Sequence, residues 1–251
     1  VQRSGSFLPP YLSTRTSSLY LSCLLLITAA SFSVSAGFEI SEVRLLVGLI
    51  DEGSISVIER NAHSLVRHSL SWVRISLVVL SATLFGVWLY RARINGRAFG
   101  ARRFEYSRKW ALLGFLIPVL NLVRPLQVVS EVWRVSDPCQ IGNPFAWKVA
   151  TVPRFVQLWW WLLVGCGGVT LIGLALTTTS GVTVVQLTVA RGLSVIGDLG
   201  ATVSAVLGSL IVISISRAQD RKWAMLSGTP AQSAATSRDD AFGDPAIAGM
   251  F

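Results

Sequence analysis

Long apolar runs separated by polar stretches set the rhythm of this chain, and four of them have the length of a membrane-crossing helix. They cover about 18–36, 72–90, 153–177 and 192–216, each near the roughly 20 residues that a helix needs to cross about 30 Å of hydrocarbon. Trp72 stands at one end of the second run, with Trp88 and Tyr90 at the other, where amphipathic rings settle at a membrane–water boundary. The third opens on Trp159, Trp160 and Trp161 and loosens into Gly165, Cys166, Gly167 and Gly168. The pattern predicts an all-α integral membrane fold with four transmembrane helices. A segment over 1–17 precedes a single membrane domain over 18–222, and a tail over 223–251, rich in small and polar residues, is expected to be disordered.

A fifth run breaks the rhythm. Residues 110–123 make about 14 residues of apolar chain, roughly 21 Å as helix, which falls short of the hydrocarbon thickness. Pro118 removes a backbone donor, and Pro125 follows Arg124 directly. Two readings remain open: a re-entrant or interfacial helical hairpin over 110–135, or a tilted fifth span. Crossing would carry Arg124, Arg134, Lys148 and Arg154 to the far side against the charge rule, which favours the hairpin. After Pro125, Leu126, Val129, Val132 and Trp133 fall on one helical face and Gln127, Ser130, Glu131 and Arg134 on the other, the pattern of an interfacial helix. Glu131 is expected to pair with Arg91, Arg93 or Arg97.

Charge then orients the spans. The chain of 251 residues carries a formal net charge of +9 with only 14% charged residues. Half of its 22 Lys and Arg residues lie between Arg91 and Arg154, and that bias places the stretch, and both termini, in the cytoplasm. The cations gather at span ends rather than on a basic, aromatic-studded surface, so no nucleic-acid partner is expected. Residues 37–71 carry the opposite balance, with Glu39, Glu42, Asp51, Glu52 and Glu59 against Arg44, Arg60 and Arg67, and read as extracytoplasmic. Within them Ile55, Ile58, Ala62 and Leu65 suggest an amphipathic helix lying on the bilayer. Val34-Ser35-Ala36 also resembles a signal-peptidase site, so the first run is either a retained helix or a cleaved signal.

Candidate chemistry is sparse. Cys23, Cys139 and Cys166 lack the spacing of a zinc site or a disulfide framework, and His63 and His68, five apart, do not share a helix face. No nucleophile with its base, carboxylate pair or metal cluster emerges, so neither catalysis nor a cofactor or metal is expected. Arg74 and Asp198 are ionisable residues within apolar runs, and counting from Arg91 and Arg217 puts both roughly 25 to 28 Å from the basic boundary, a depth at which they are expected to pair. Gly200, Ser204 and Gly208 form a small-residue stripe, suited to close packing within the bundle or to a homo-oligomer.

The stretch from Trp88 to Pro138 carries a family resemblance. Trp88, Arg91, Arg93, Asn95, Gly100, Tyr106, Ser107, Trp110, Phe115, Ile117, Pro118, Asn121, Leu122, Pro125, Val128, Val129, Glu131, Trp133, Arg134 and Pro138 resemble the prokaryotic membrane domain of unknown function numbered 4328. Gly114-Phe115 and Leu126 depart from it where aromatic residues are usual. The resemblance implies architecture and supplies no activity. It marks Arg91, Arg93, Asn95, Tyr106, Trp110, Pro118, Asn121, Pro125, Glu131, Trp133 and Arg134 as candidate motif residues. The function expected from the sequence is a non-enzymatic membrane interaction or assembly module, its basic cytoplasmic face taking anionic lipid or a protein partner. The alternative is an oligomeric small-solute or ion transporter or channel built on the proline-broken half-helix.

Overall fold

The computed structural model describes residues 11–52, 57–101, 122–139, 145–178 and 181–227. Their regular structure is all helical: α1 (Arg15–Glu52), α2 (Val57–Ala98), α3 (Arg124–Ser136), a single 3-10 turn (Ala146–Val149), α4 (Arg154–Thr177) and α5 (Val184–Ser227). Of these α1, α2, α4 and α5 are long and apolar enough to cross a membrane. Local chemistry sets their ends. Thr183 and Gln186 cap α5 reciprocally, the Gln186 amide donating to Thr183 Oγ1 at 3.2 Å and the Thr183 amide to Gln186 Oε1 at 2.9 Å. Gly100, at φ +77°, closes α2 with its amide on Arg97 and the Ala101 amide on Gly96, a geometry that glycine adopts freely.

Three helices overrun the lengths expected of them. The separate surface helix expected around 55–65 is replaced, from Val57 onward, by the first turns of α2, which run unbroken into the second span. Trp223 to Ser227, expected in the disordered tail, complete α5. Val34-Ser35-Ala36 lies inside the unbroken α1, with Ser35 and Ala36 buried. The 110–121 part of the short apolar run lies outside the described residues.

Helices α1, α2 and α5 share one heptad register. Positions 14, 21, 28, 35 and 42 of the chain meet 95, 88, 81, 74 and 67 running the other way, and 219, 212, 205, 198 and 191 fall at the same levels. Contacts or shared burial mark four of these layers, and two of them join all three helices. Asn95 donates to Gln219 Oε1 at 3.0 Å, and Thr14 is fully buried. Leu21, Trp88 and Val212 belong to one apolar cluster. Arg74 reaches both Ser35 and Asp198, and Arg67 and Arg191 both reach Glu42. Between them the Thr28 and Ser81 hydroxyls lie 3.0 Å apart. A repeat of seven keeps one seam facing its partners along supercoiled helices, and its hydroxyl layers leave no bulk between the backbones.

α4 is laid on α5 through small residues. A Cβ on Gly200 would strike Cys166 Sγ, one on Gly197 would strike Thr170 Oγ1, and one on Gly208 would crowd Trp159 Nε1. Ser204 donates to the Trp159 carbonyl at 3.2 Å. The stripe of Gly200, Ser204 and Gly208 thus packs against α4 of the same chain. Cys166 helps to fill that contact, whereas Cys23 on α1 is exposed.

α3 closes one end of the bundle, packing on α2, α4 and α5. Its inward face is rotated from the one expected. Val128, Val129, Val132 and Val135 are buried together with Glu131, and Leu126 and Trp133 are only partly covered. Glu131 turns inward because a buried cation, Arg93, waits on α2. The apolar core of Leu21, Trp88, Val132, Trp159, Val212 and their neighbours gathers at this same end. Gly200→Ala is expected to lower stability by about 1 to 3 kcal/mol through overpacking, and adding Cys166→Ala should recover most of it; thermal unfolding in detergent measures both.

Candidate functional site

Between His68 and Arg91, both exposed, the surface of α2 shows no exposed charged side chain, a length of about 33 Å at 1.5 Å per residue. Arg74 lies six positions inside that stretch, about 9 Å from its far limit. Charges inside an apolar belt are costly, and they persist only when paired. At the far end of this stretch α1, α2 and α5 bring six charged side chains together.

Arg74 Nη1 lies 2.6 Å from both oxygens of Asp198 and donates to Ser35 Oγ at 2.8 Å. The Arg74 side chain keeps 19% exposure and Asp198 3%, so the carboxylate depends on the guanidinium for compensation. One heptad further from the basic end, Arg67 Nη1 lies 2.7 Å and Arg191 Nε 3.2 Å from Glu42. Arg191 also approaches Glu39 at 3.5 Å. Three guanidinium groups thus face three carboxylates, a neutral set in which Arg191 bridges two turns of α1. Arg74 additionally sits 5.7 Å from the Phe32 ring centroid. Glu39, Glu42 and Arg191 had no standing as site residues in the sequence. The heptad spacing of 35 and 42, 67 and 74, and 191 and 198 is the signal that marks them, legible once the three helices are known to pack together.

The basic end holds a second, neutral network. Asn95 reads the backbone of Leu12 from both sides, accepting from its amide at 3.0 Å and donating to its carbonyl at 2.8 Å. Gln219, fully buried, donates to the Ala92 carbonyl and to Ser136 Oγ. Lys222 Nζ donates to the carbonyls of Val135 at 2.8 Å and Asp137 at 2.9 Å, satisfying the end of α3 where the helix dipole is negative. Tyr11 stacks on Trp223 and donates to Asp220 Oδ1 at 2.5 Å. Burial, with that hydrogen bond to Asp220, pushes its phenol far above the ordinary range and keeps it neutral.

The candidate motif residues divide between this network and the surface. Arg93 is buried 3.2 Å from Glu131, Asn95 is buried at the N-terminal strap, and Pro125 is buried in the first turn of α3. Trp133 packs edge-on against Phe155 at 5.5 Å. Arg134 is half-buried and Arg91 exposed. Tyr106, Trp110, Pro118 and Asn121 lie outside the described residues. The described motif residues on α2 and α3 meet where the ends of those helices pack together.

A family model described as Domain of unknown function (DUF4328) matches residues 54–217. No curated protein and no solved structure matches the chain. The matched stretch includes Arg74 and Asp198 as well as Arg93 and Glu131. Arg74→Leu strands the buried Asp198 and is expected to cost about 3 to 5 kcal/mol. Arg74→Leu combined with Asp198→Leu should cost markedly less, and unfolding midpoints of the two variants in one detergent test the difference.

Proposed function

We propose, for a chain that belongs to the DUF4328 family, a non-enzymatic role as a four-span membrane module whose basic end faces the cytoplasm and engages anionic lipid headgroups. The distribution of exposed cations carries this reading. Arg15 on α1, Arg91 and Arg97 on α2, Arg154 on α4, and Arg217 and Arg221 on α5 are all exposed at the same end of the bundle, with Lys148 on the turn before α4. Among the described residues, the acids of that end already have partners: Glu131 is buried against Arg93, Asp220 accepts from Tyr11, and Asp137 accepts from the Cys139 amide. The excess positive charge therefore points outward around the ends of all four long helices. Under the positive-inside rule that end is cytoplasmic, with both chain termini on its side and the charged layer of Arg74 and Asp198 toward the opposite face.

The junction beneath this ring supports a scaffold. Asn95, Gln219, Lys222 and the Arg93–Glu131 pair tie the ends of α2, α3 and α5 to the strap at Tyr11 and Leu12, so the cations ride on a fixed frame. Each exposed cation near an anionic surface contributes about 1 kcal/mol, and the attraction is screened by salt. The purified full chain is expected to retain phosphatidylglycerol over phosphatidylcholine during detergent exchange, with the preference shrinking as salt rises. Equal retention of the two lipids at both low and moderate salt contradicts the reading.

A further inference from the structure

We infer that the notch between the ends of α2 and α5 is a recognition site for an extended, tyrosine-bearing segment of a protein partner, and that Tyr11 and Leu12 of this chain fill it in cis as a detachable strap. The site is the same whichever membrane face the basic end meets and whether or not that end binds lipid.

Each contact on the strap reads a feature that such a segment would carry. Asn95 Oδ1 accepts from the Leu12 amide at 3.0 Å, and Asn95 Nδ2 donates to the Leu12 carbonyl at 2.8 Å. One side-chain amide meets both groups of a single residue only where its N–H and C=O point the same way, as they do in extended chain and do not in a helix. Asn95 thus acts as a short piece of strand edge. It reads backbone alone, since the Leu12 side chain stays 45% exposed. Selection comes from the preceding position. The Tyr11 ring stacks on Trp223 with centroids 5.2 Å apart and meets Phe99 at 5.8 Å, and its hydroxyl donates to Asp220 Oδ1. Two aromatic walls with an acid at the far end favour tyrosine over phenylalanine, because only the hydroxyl satisfies the acid. Main-chain pairing for affinity beside a side-chain pocket for selection is a recurring way to recognise extended peptides.

The notch is held in shape by contacts that do not involve the strap. Gln219 orients the Asn95 amide by accepting from Nδ2 at 3.0 Å, and Gln219 is itself fixed by donating to the Ala92 carbonyl and to Ser136 Oγ. Lys222 ties α5 to the end of α3 and lies 5.6 Å from the Phe99 ring centroid. The strap, by contrast, is lightly held. Residues 11–13 are not helical, Tyr11 is half-buried, and Leu12 and Ser13 are exposed. Thr14, fully buried, anchors the chain just ahead of α1, so Tyr11 and Leu12 can leave the notch without moving that helix. Segments held by few buried contacts open locally at far lower free energy than the core.

A fluorescently labelled peptide of residues 8–15, titrated into the purified full chain in detergent and followed by anisotropy, tests the assignment. Tyr11→Ala with Leu12→Pro in the protein removes the ring and the paired amide of the strap. That variant is expected to bind the peptide roughly tenfold or more tightly than the unmodified chain, whose own strap competes at an effective concentration in the roughly millimolar range. A scrambled peptide measures uptake by the micelle. With the protein held constant, Tyr11→Ala in the peptide, or methylation of its Leu12 nitrogen, should each weaken binding about tenfold, and Leu12→Gln in the peptide should change it by less than about threefold. Hydrogen exchange of the unmodified chain reads the strap without any substitution: the Leu12 amide should exchange roughly a hundredfold faster than that of the buried Leu21 on α1. Equal peptide binding by the two proteins, undiminished binding of the alanine or N-methyl peptide, or a Leu12 amide as protected as that of Leu21 overturns the inference.

Discussion

Charged side chains buried between apolar helices admit very few arrangements, and the alignment of α1, α2 and α5 follows from that constraint. Asp198 is compensated where it lies because Arg74 places one nitrogen 2.6 Å from each of its oxygens. A slip of one residue between α2 and α5 would rotate one partner out of the seam and leave the other uncompensated, at a cost of several kcal/mol. Glu42 adds a second lock one heptad away, since it is reached by Arg67 from α2 and by Arg191 from α5. Apolar packing alone would tolerate neighbouring registers far better, because one branched side chain resembles another. The ion pairs specify the alignment, and the layer of Leu21, Trp88 and Val212 fills it.

The far end of the seam is specified by neutral groups. Asn95 and Gln219 exchange a hydrogen bond and pass their remaining capacity to the Leu12 backbone, the Ala92 carbonyl and Ser136. Few of their groups are left without a partner, which lets them be fully buried without a desolvation penalty. Lys222 then terminates α3, and α3 covers the apolar core. The ring of exposed cations is therefore mounted on helix ends whose polar groups are already spent on one another. That separation, with inward groups fixing the frame and exposed cations outside it, underlies the functional reading.

Much of the architecture is legible in the sequence, and the reasons it stops are specific. The third apolar run, between Pro153 and Thr177, coincides with α4 because proline starts the helix and glycine and threonine loosen its far side. The level of Arg74 and Asp198 could be counted from the basic span ends, since helical rise is constant. Glu39, Glu42 and Arg191 were passed over for a different reason. A hydropathy window ends a span at its first charges, whereas the helix continues as long as those charges find partners on other helices. The same blindness assigned Glu131 to the outer face of α3. Periodicity reports which side chains are polar, and only packing reports which polar side chains are compensated. The small-residue stripe on α5 did not by itself say which helix it takes, and Trp159 and Cys166 of α4 lie against it.

The seam stands or falls on its register, and cysteine cross-linking reads a register directly. In a chain whose three native cysteines are replaced by alanine, Thr28→Cys and Ser81→Cys replace two hydroxyls that lie 3.0 Å apart. Mild oxidation in the membrane should join them in high yield, within a protein that retains α1. Leu21→Cys with Ser81→Cys, offset by one heptad and about 10 Å along the seam, should not join. Efficient cross-linking of the offset pair, or none at 28 and 81, would contradict the register on which the charged layers depend.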